Sequence, residues 1–424
     1  MRYKWLSLLL AFLCSGSLLK AQLPADTLRI GLPEAEKMFL DSNFQLLAQR
    51  YNIDAGKAQI MQAKLWPNPN FSISHGLYSG ALGKFFPTGV NDETAAGLSQ
   101  LIVLAGKRNK QVKIAQANAI LNEYEFFDLM RTLKYTLRTD FFKIYYLQRS
   151  SGVYTEEIRS LEQVTRAFAE QQGKGYISEK EVIRIKAQLY SLQNEYSDLL
   201  NQLNDVQGEI RLLLQVRPTV FLDPRPDTAS ILSLDPSRYT LTTLIDSAYL
   251  NRADLRIAKK NTELSKLNYN YQRSLAVPDL TLSLGYDEQG SFLTNYYGLG
   301  AAIDLPFFNR NQGNIASAKA MIGFNNATQK SVQATVEENV TRALQKAFAQ
   351  HKLFQSIDPG FAHDFERMQH EVLINYQKRN INLLDFLDFY DSYKGNILQF
   401  NTVQFNRLSA FEDINFYTGT NFFN

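Results

Sequence analysis

Laid against itself, the sequence matches twice. The segment from Leu32 to Gly76 runs parallel to that from Leu241 to Gly285 without a gap, setting Pro69 on Pro278 and Gly76 on Gly285. Farther along, GLSQLIVL (Gly97 to Leu104) matches GLGAAIDL (Gly298 to Leu305) and IAQANA (Ile114 to Ala119) matches IASAKA (Ile315 to Ala320), at a second constant offset. Repeats of roughly 200 residues are too long for stacked solenoid units, so the pattern predicts a half-structure used twice, with pseudo-twofold symmetry. Between the halves lies RPTVFLDPRPDTASILSLDPSRY, where Pro218, Pro224, Pro226 and Pro236 forbid a continuous helix. The expected domains are therefore a first repeat over 22–225 and a second over 226–424.

Each half offers two strands. In LTLSLGY, Leu280, Leu282, Leu284 and Tyr286 alternate with Thr281, Ser283 and Gly285. In YGLGAAIDL, Tyr297, Leu299, Ala301, Ile303 and Leu305 alternate with small or polar residues. Strands are expected near 69–79 and 95–104 in the first repeat and near 278–288 and 295–305 in the second. About ten residues suit a tilted membrane strand with one face toward lipid and one toward water, although a half-buried soluble hairpin alternates in the same way. Four strands cannot close a barrel, and lipid does not tolerate an open edge, so membrane strands would have to be pooled from several copies of the chain.

The N-terminus, MRYKWLSLLLAFLCSGSLLKAQ, sets Arg2 and Lys4 before a short apolar run and a small-residue junction at Ala21, the pattern of an export signal over 1–21. Its removal takes three of the 45 basic residues and leaves them equal in number to the 42 acidic ones, which disfavours a nucleic-acid partner. It also removes the one cysteine, so packing without disulfides must hold the exported chain. No later segment is apolar for long enough to be a membrane-spanning helix.

Most of the remaining sequence has a helical texture. From Asn109 to about Gln172 there is no proline, and a second such run covers Asn311 to Gln355. Unbroken, the first would reach on the order of 90 to 100 Å. Val182, Leu189, Leu192, Leu199 and Leu200 recur at helix-packing spacings. The first half reverses at QQGKGYISEKEVIR, near 173–178, where Gly173 and Gly175 stop a helix and Ser178 with Glu181 forms a capping box for the next. The second half reverses at YQKRNINLLDFLDF, near 378–383. Aligning the turns sets Ile177 on Ile381, Ser178 on Asn382 and Glu181 on Asp385, which makes Asn382 the expected N-cap of the last helix. Asp385 at the third helical position would then serve the exposed amides and the positive helix end, worth about 0.3 to 1 kcal/mol. Asp388 aligns with Arg184 and lies about 60° around the helix from Asp385. It has no such local role, so it is either a solvated residue or a functional one. Asp391 is expected to face solvent or a neighbouring helix.

The duplicated halves, the strand pairs after Pro69 and Pro278, the long helices and the paired turns GYISEKEV and NINLLDFLDF together resemble the TolC family of outer-membrane efflux and secretion channels, over essentially the whole mature length. The resemblance implies a mixed α and β membrane protein, a homotrimer in which each chain gives four strands to a twelve-stranded outer-membrane barrel and long helices to a periplasmic α-barrel. It implies that Asp385 and Asp388 ring the periplasmic aperture. It further implies that Gly175, Tyr176, Ile177, Ser178, Asn380, Ile381, Asn382 and Leu383 form the hairpin tips that dock a periplasmic adaptor protein. The second turn has Lys378-Arg379-Asn380 where the family has a glycine. The stretch NLLDFLDF resembles the heavy-metal branch, the CzcC and CusC type. The function so implied is a passive exit duct serving an inner-membrane pump, of the RND type, for metals or drugs. Polypeptide export in a type I secretion system is the alternative within the family.

Motifs for catalysis are missing: the chain has no GxxxxGK[ST], GxSxG or HExxH. An enzyme and a cofactor are therefore not expected. His363, Glu366 and His370 have a spacing that permits metal ligation, but a solvated helix face is the expected reading and no metal site is assigned. Outside the channel class, a soluble periplasmic coiled-coil scaffold would share the helices. It would partition away from membranes, whereas a duct requires detergent.

Overall fold

The structure is a computed structural model that describes residues 26–80, 82–87, 94–289, 293–358, 360, 367–368, 371–376, 378 and 380–423. The expected export signal and the trio His363, Glu366 and His370 lie outside these residues. In chain order the elements are β1 (Thr27–Ile30), α1 (Leu32–Ser42), α2 (Phe44–Lys64), β2 (Asn70–His75), β3 (Tyr78–Ser79), β4 (Lys84–Phe85), β5 (Thr94–Ile102), α3 (Lys107–Gly173), α4 (Glu179–Leu214) and β6 (Phe221–Pro224). There follow α5 (Thr228–Leu232), a 3-10 turn (Pro236–Arg238), α6 (Leu241–Asn251), α7 (Ala253–Leu275), β7 (Leu280–Gln289), β8 (Thr294–Ile303), α8 (Gln312–Gln355) and α9 (Leu383–Thr418). The helix α3 runs unbroken for 67 residues, about 100 Å at 1.5 Å per residue. Among the described residues no helix is long and apolar enough to cross a membrane.

The matched segments take matched structure. Helices α1 and α6 have eleven residues each, start at the paired Leu32 and Leu241, and stop at the paired Ser42 and Asn251. Each follows a residue in extended conformation: Gly31, whose amide reaches Glu34 Oε2 at 3.2 Å, and Thr240, whose hydroxyl accepts from Thr243 N at 3.3 Å.

The contacts divide the chain into two compact units, each assembled from three separate segments. One holds the described residues up to 43 with 136–232 and 356–408, the other 44–135, 233–355 and 409–424. In the first unit, β1 and β6 form a parallel pair in the register Thr27 to Phe221 and Ile30 to Pro224. The proline-rich connection is therefore not merely a linker. The buried Gln207 of α4 clips β6 in place, donating to Leu222 O at 2.7 Å and accepting from Leu222 N at 2.9 Å. One amide thus satisfies both backbone groups of a buried strand residue. Within this unit Phe39, Leu137, Phe141, Ile144, Ile185 and Ile210 are almost wholly buried.

In the second unit four antiparallel strands stand in the order β2-β5-β7-β8. The registers align Phe71, Leu98, Leu284 and Leu299 in one row and Ile73, Ala96, Tyr286 and Tyr297 in another, so these rows share a face. The intervening row, Ser72, Gly97, Gly285 and Gly298, lies on the other face. At two of its glycines the space is already used: a Cβ on Gly300 would stand 2.6 Å from Ser283 Oγ, and one on Gly97 2.8 Å from Ser72 Oγ, while Gly285 has open space. The apolar face is open, with Leu299 81% exposed. The strand expected near 69–79 splits, because β2 ends at His75 while Tyr78 and Ser79 pair with Phe85 and Lys84 of β4. The helices α7 and α8 pack closely, Thr262 Oγ1 donating to Asn325 O at 3.2 Å, and α8 buries Val336, Val340, Ala343 and Ala347 in a four-three-four spacing.

Candidate functional site

The two helical turns and the residues packed behind them all belong to the first unit. At the first turn α3 ends because Gly175 takes φ +76°, a conformation in which a side chain would be strained. The Tyr176 amide then donates to Gln171 O at 3.0 Å and the Gly175 amide to Gln172 O at 2.9 Å, a Schellman closure that satisfies the last carbonyls. Ser178 caps α4: its Oγ accepts from Glu181 N at 3.3 Å, and Glu181 Oε2 accepts from Ser178 N at 3.1 Å. The Ser178 hydroxyl also donates to Glu181 Oε2 at 2.8 Å, and this bond, with the one from the Ser178 amide, holds the Glu181 carboxyl below its usual pKa. Tyr176 projects outward, 68% exposed, while Ile177 is half-buried.

The second turn closes without glycine at Lys378 or Asn380. The Asn380 amide donates to Asn375 O at 2.9 Å, spanning the same number of residues as the Tyr176 bond, and Asn380 Nδ2 adds a bond to Asn375 Oδ1 at 3.1 Å. Asn382 then caps α9: its Oδ1 accepts from Asp385 N at 3.0 Å, its Nδ2 donates to Asp385 Oδ2 at 2.8 Å, and its carbonyl accepts from Phe386 N at 3.1 Å. Asp385 thus occupies the third helical position, tied to the cap's side chain instead of its backbone amide. Between the turns lies a cavity of about 380 Å³ lined in part by Gln163, Phe168, Tyr176, Ile381 and Asn382.

The three aspartates of α9 meet different surroundings. Asp385 and Asp388 are both exposed, and among the described residues Asp388 has neither a hydrogen-bond donor nor a counter-charge. Asp391 faces a neighbouring helix: Gln188 Nε2 of α4 donates to its Oδ1 at 2.7 Å, and Lys394 Nζ stands 3.6 Å away. Apolar residues between the acids turn inward. Phe386 is fully buried, stacked on Tyr376 with centroids 4.2 Å apart and tilted against Tyr390 at 4.4 Å. With Leu383, Leu387, Ile185, Leu189 and Leu192 these rings form the core that fixes both hairpins.

One turn farther from the tip is an ionic cluster that sequence spacing does not disclose. Lys394 donates to Glu195 Oε2 at 2.9 Å, and Tyr154 OH donates to the same oxygen at 3.4 Å. Glu157 of α3 lies beside them, 2% exposed, with a buried Oε1 that has no hydrogen-bond partner. Burial pushes its pKa up to about 8; the Lys394 ammonium opposes the rise, and Asp391 and Glu195 add to it. The Asp391 to Lys394 spacing hints at an ion pair, but no local signal assigns Glu157 to it. Among the described residues there is no cluster of three His, Cys, Asp or Glu side chains suited to a metal ion.

Comparison with known proteins gives this geometry its class. Among solved structures, CusC superposes with a TM-score of 0.72 at 15% identity over 92% of both chains. The CmeC outer membrane channel of Campylobacter jejuni gives the same score and identity over 92% of this chain and 86% of its own. The fold is therefore that of the outer-membrane efflux channels. Residues 37–214 match the family described as outer membrane efflux protein. A relative in sequence is the cobalt-zinc-cadmium resistance protein CzcC of Cupriavidus metallidurans, 22% identical over 369 residues, 84% of this chain and 82% of the relative.

Proposed function

We propose that the protein is the outer-membrane exit duct of a tripartite efflux system, a homotrimer conducting cargo passively from periplasm to exterior. The observation that carries this reading is the four-stranded sheet: one face is apolar and open, the other is small and polar, and β2 and β8 each pair on one side only among the described residues. Unpaired strand edges are not tolerated in lipid. Three copies would supply twelve strands and join every edge, with helices of the length of α3 carrying the conduit across the periplasm, and the two matched halves giving each protomer its pseudo-twofold plan.

Threefold symmetry would gather Asp385 and Asp388 into rings of carboxylates that narrow the aperture and favour cations. The hairpin tips, Gly175 to Ser178 and Asn380 to Leu383, would receive a periplasmic adaptor, which links the duct to an inner-membrane pump of the RND type. Such a duct needs no catalytic group. Likeness to a cobalt-zinc-cadmium resistance protein supports divalent metal ions as the cargo, with drugs as the alternative. Deleting the gene and measuring tolerance to cobalt, zinc, cadmium and a panel of drugs tests this. The reading expects sensitisation to divalent metals that the wild-type gene reverses; unchanged tolerance across the whole panel overturns it.

A further inference from the structure

Where β5 passes into α3, Ala105 and Gly106 both take positive φ, 54° and 66°. The turn brings the Ala105 carbonyl to Lys110 Nζ at 2.5 Å, which solvates that ammonium without neutralising it. Lys110 and Lys113 of α3 and Arg273, Asn270 and Ser274 of α7 line a cavity of about 360 Å³ with no acidic residue in its wall. Among the described residues none of the three cations has a carboxylate partner. The Arg273 guanidinium lies over the Tyr269 ring, 5.9 Å from its centroid.

The fold does not require these charges. At the matched positions of the second half, Lys110 and Lys113 are replaced by Asn311 and Asn314. There the amides satisfy one another: Asn314 Nδ2 donates to Asn311 Oδ1 at 2.6 Å, and Asn311 Nδ2 donates to Gln272 O at 2.8 Å. Three convergent cations repel one another unless an anion lies between them.

The cavity's level along the sheet suggests which anion. It adjoins the end of the sheet where Ile102, Leu280 and Ile303 pair. Lys107 is anchored there to Asp279 at 2.7 Å. In the segments that flank the strands, Phe308 is 95% exposed, and the Arg108 guanidinium lies over the exposed Trp66 ring, 4.0 Å from its centroid. Aromatic residues and basic side chains at one level mark the headgroup zone of a membrane. At about 100° per residue, Lys110, Lys113, Asn270 and Arg273 are turned by about 80° to 160° around α3 and α7 from Gln111, Asn118, Asn268 and Tyr271. The latter line a separate, amide-rich groove shared with α2.

We propose that this basic cavity binds the phosphate of a phospholipid headgroup in the periplasmic leaflet of the outer membrane. The inference rests on the reading of the four-stranded sheet as a membrane wall. The test uses full-length protein in detergent and counts retained phosphatidylglycerol by native mass spectrometry. It compares wild type with Lys110→Asn combined with Lys113→Asn, the residues of the second half, and uses Lys330→Gln as a charge control. Wild type and the control retain the lipid, the double variant retains it about tenfold or more weakly, diacylglycerol is not held, and 10 mM inorganic phosphate, roughly the concentration of a standard buffer, does not displace it. Equal retention by the double variant, or full displacement of the lipid by inorganic phosphate, overturns the assignment. A chain that leaves the membrane fraction without detergent defeats the membrane reading itself, an outcome scored in the same preparation.

Discussion

Replacing Glu157 with Gln should abolish a pH dependence of local stability near the helical tips. The carboxyl is almost wholly buried, one of its oxygens is unpaired, and the nearby Lys394 is engaged by Glu195 at 2.9 Å. A pKa raised from 4.5 to about 8 means that the folded chain holds this proton more tightly than the unfolded one. Its stabilising contribution is complete below the unfolded value and is lost as pH climbs toward 8. At about 1.4 kcal/mol per unit, the two units from pH 5 to pH 7 weaken the surrounding helices by about 2.7 kcal/mol, close to a hundredfold in their opening constant. Hydrogen exchange of peptides over 150–165 and 385–398, in detergent, reads that constant. The ratio of wild-type to variant exchange cancels the intrinsic pH dependence of the chemistry and the contribution of titrating groups that do not interact with Glu157. It should rise by about two orders of magnitude from pH 5 to pH 7. A ratio that stays flat over this interval refutes the assignment of a neutral, buried Glu157.

Three other perturbations address the site. Asn382→Ala removes the bond to Asp385 N and should cost about 1 kcal/mol at the start of α9, seen as faster exchange at 383–386 that Asn382→Ser restores. Phe386→Ala empties the centre of the ring stack and should cost about 3 to 5 kcal/mol, measured as a lowered protease-resistance midpoint of the tip in urea. Asp385→Asn with Asp388→Asn should raise single-channel conductance and weaken block by multivalent cations; unchanged conductance and block would sink the aperture role.

Much of the architecture is legible because long-range order is written locally. Period-two alternation marks β7 and β8 within about two residues, and the proline-free run from Asn109 marks α3. Ser178 with Glu181 and Asn382 with Asp385 disclose both helix starts, since a cap and its target lie three residues apart. What escapes is made by residues distant in sequence. The pairing of β1 with β6 joins Thr27 to Phe221 through a proline-rich stretch that has no strand pattern. Glu157 reads as one more polar residue on a long helix until Glu195 and Lys394, from two other helices, close over it. Asp391, set at the same spacing as Asp385 and Asp388, is separated from them by Gln188, a contact that only the packed helices supply.

The central claim is that the edges of β2 and β8 are completed by other copies of the same chain in a membrane. Native mass spectrometry of the protein extracted from outer membranes in mild detergent tests it most directly. The account predicts a particle of three chains that falls to one only on boiling. A single-chain particle in mild detergent, or release of the chain from membranes without detergent, would contradict it.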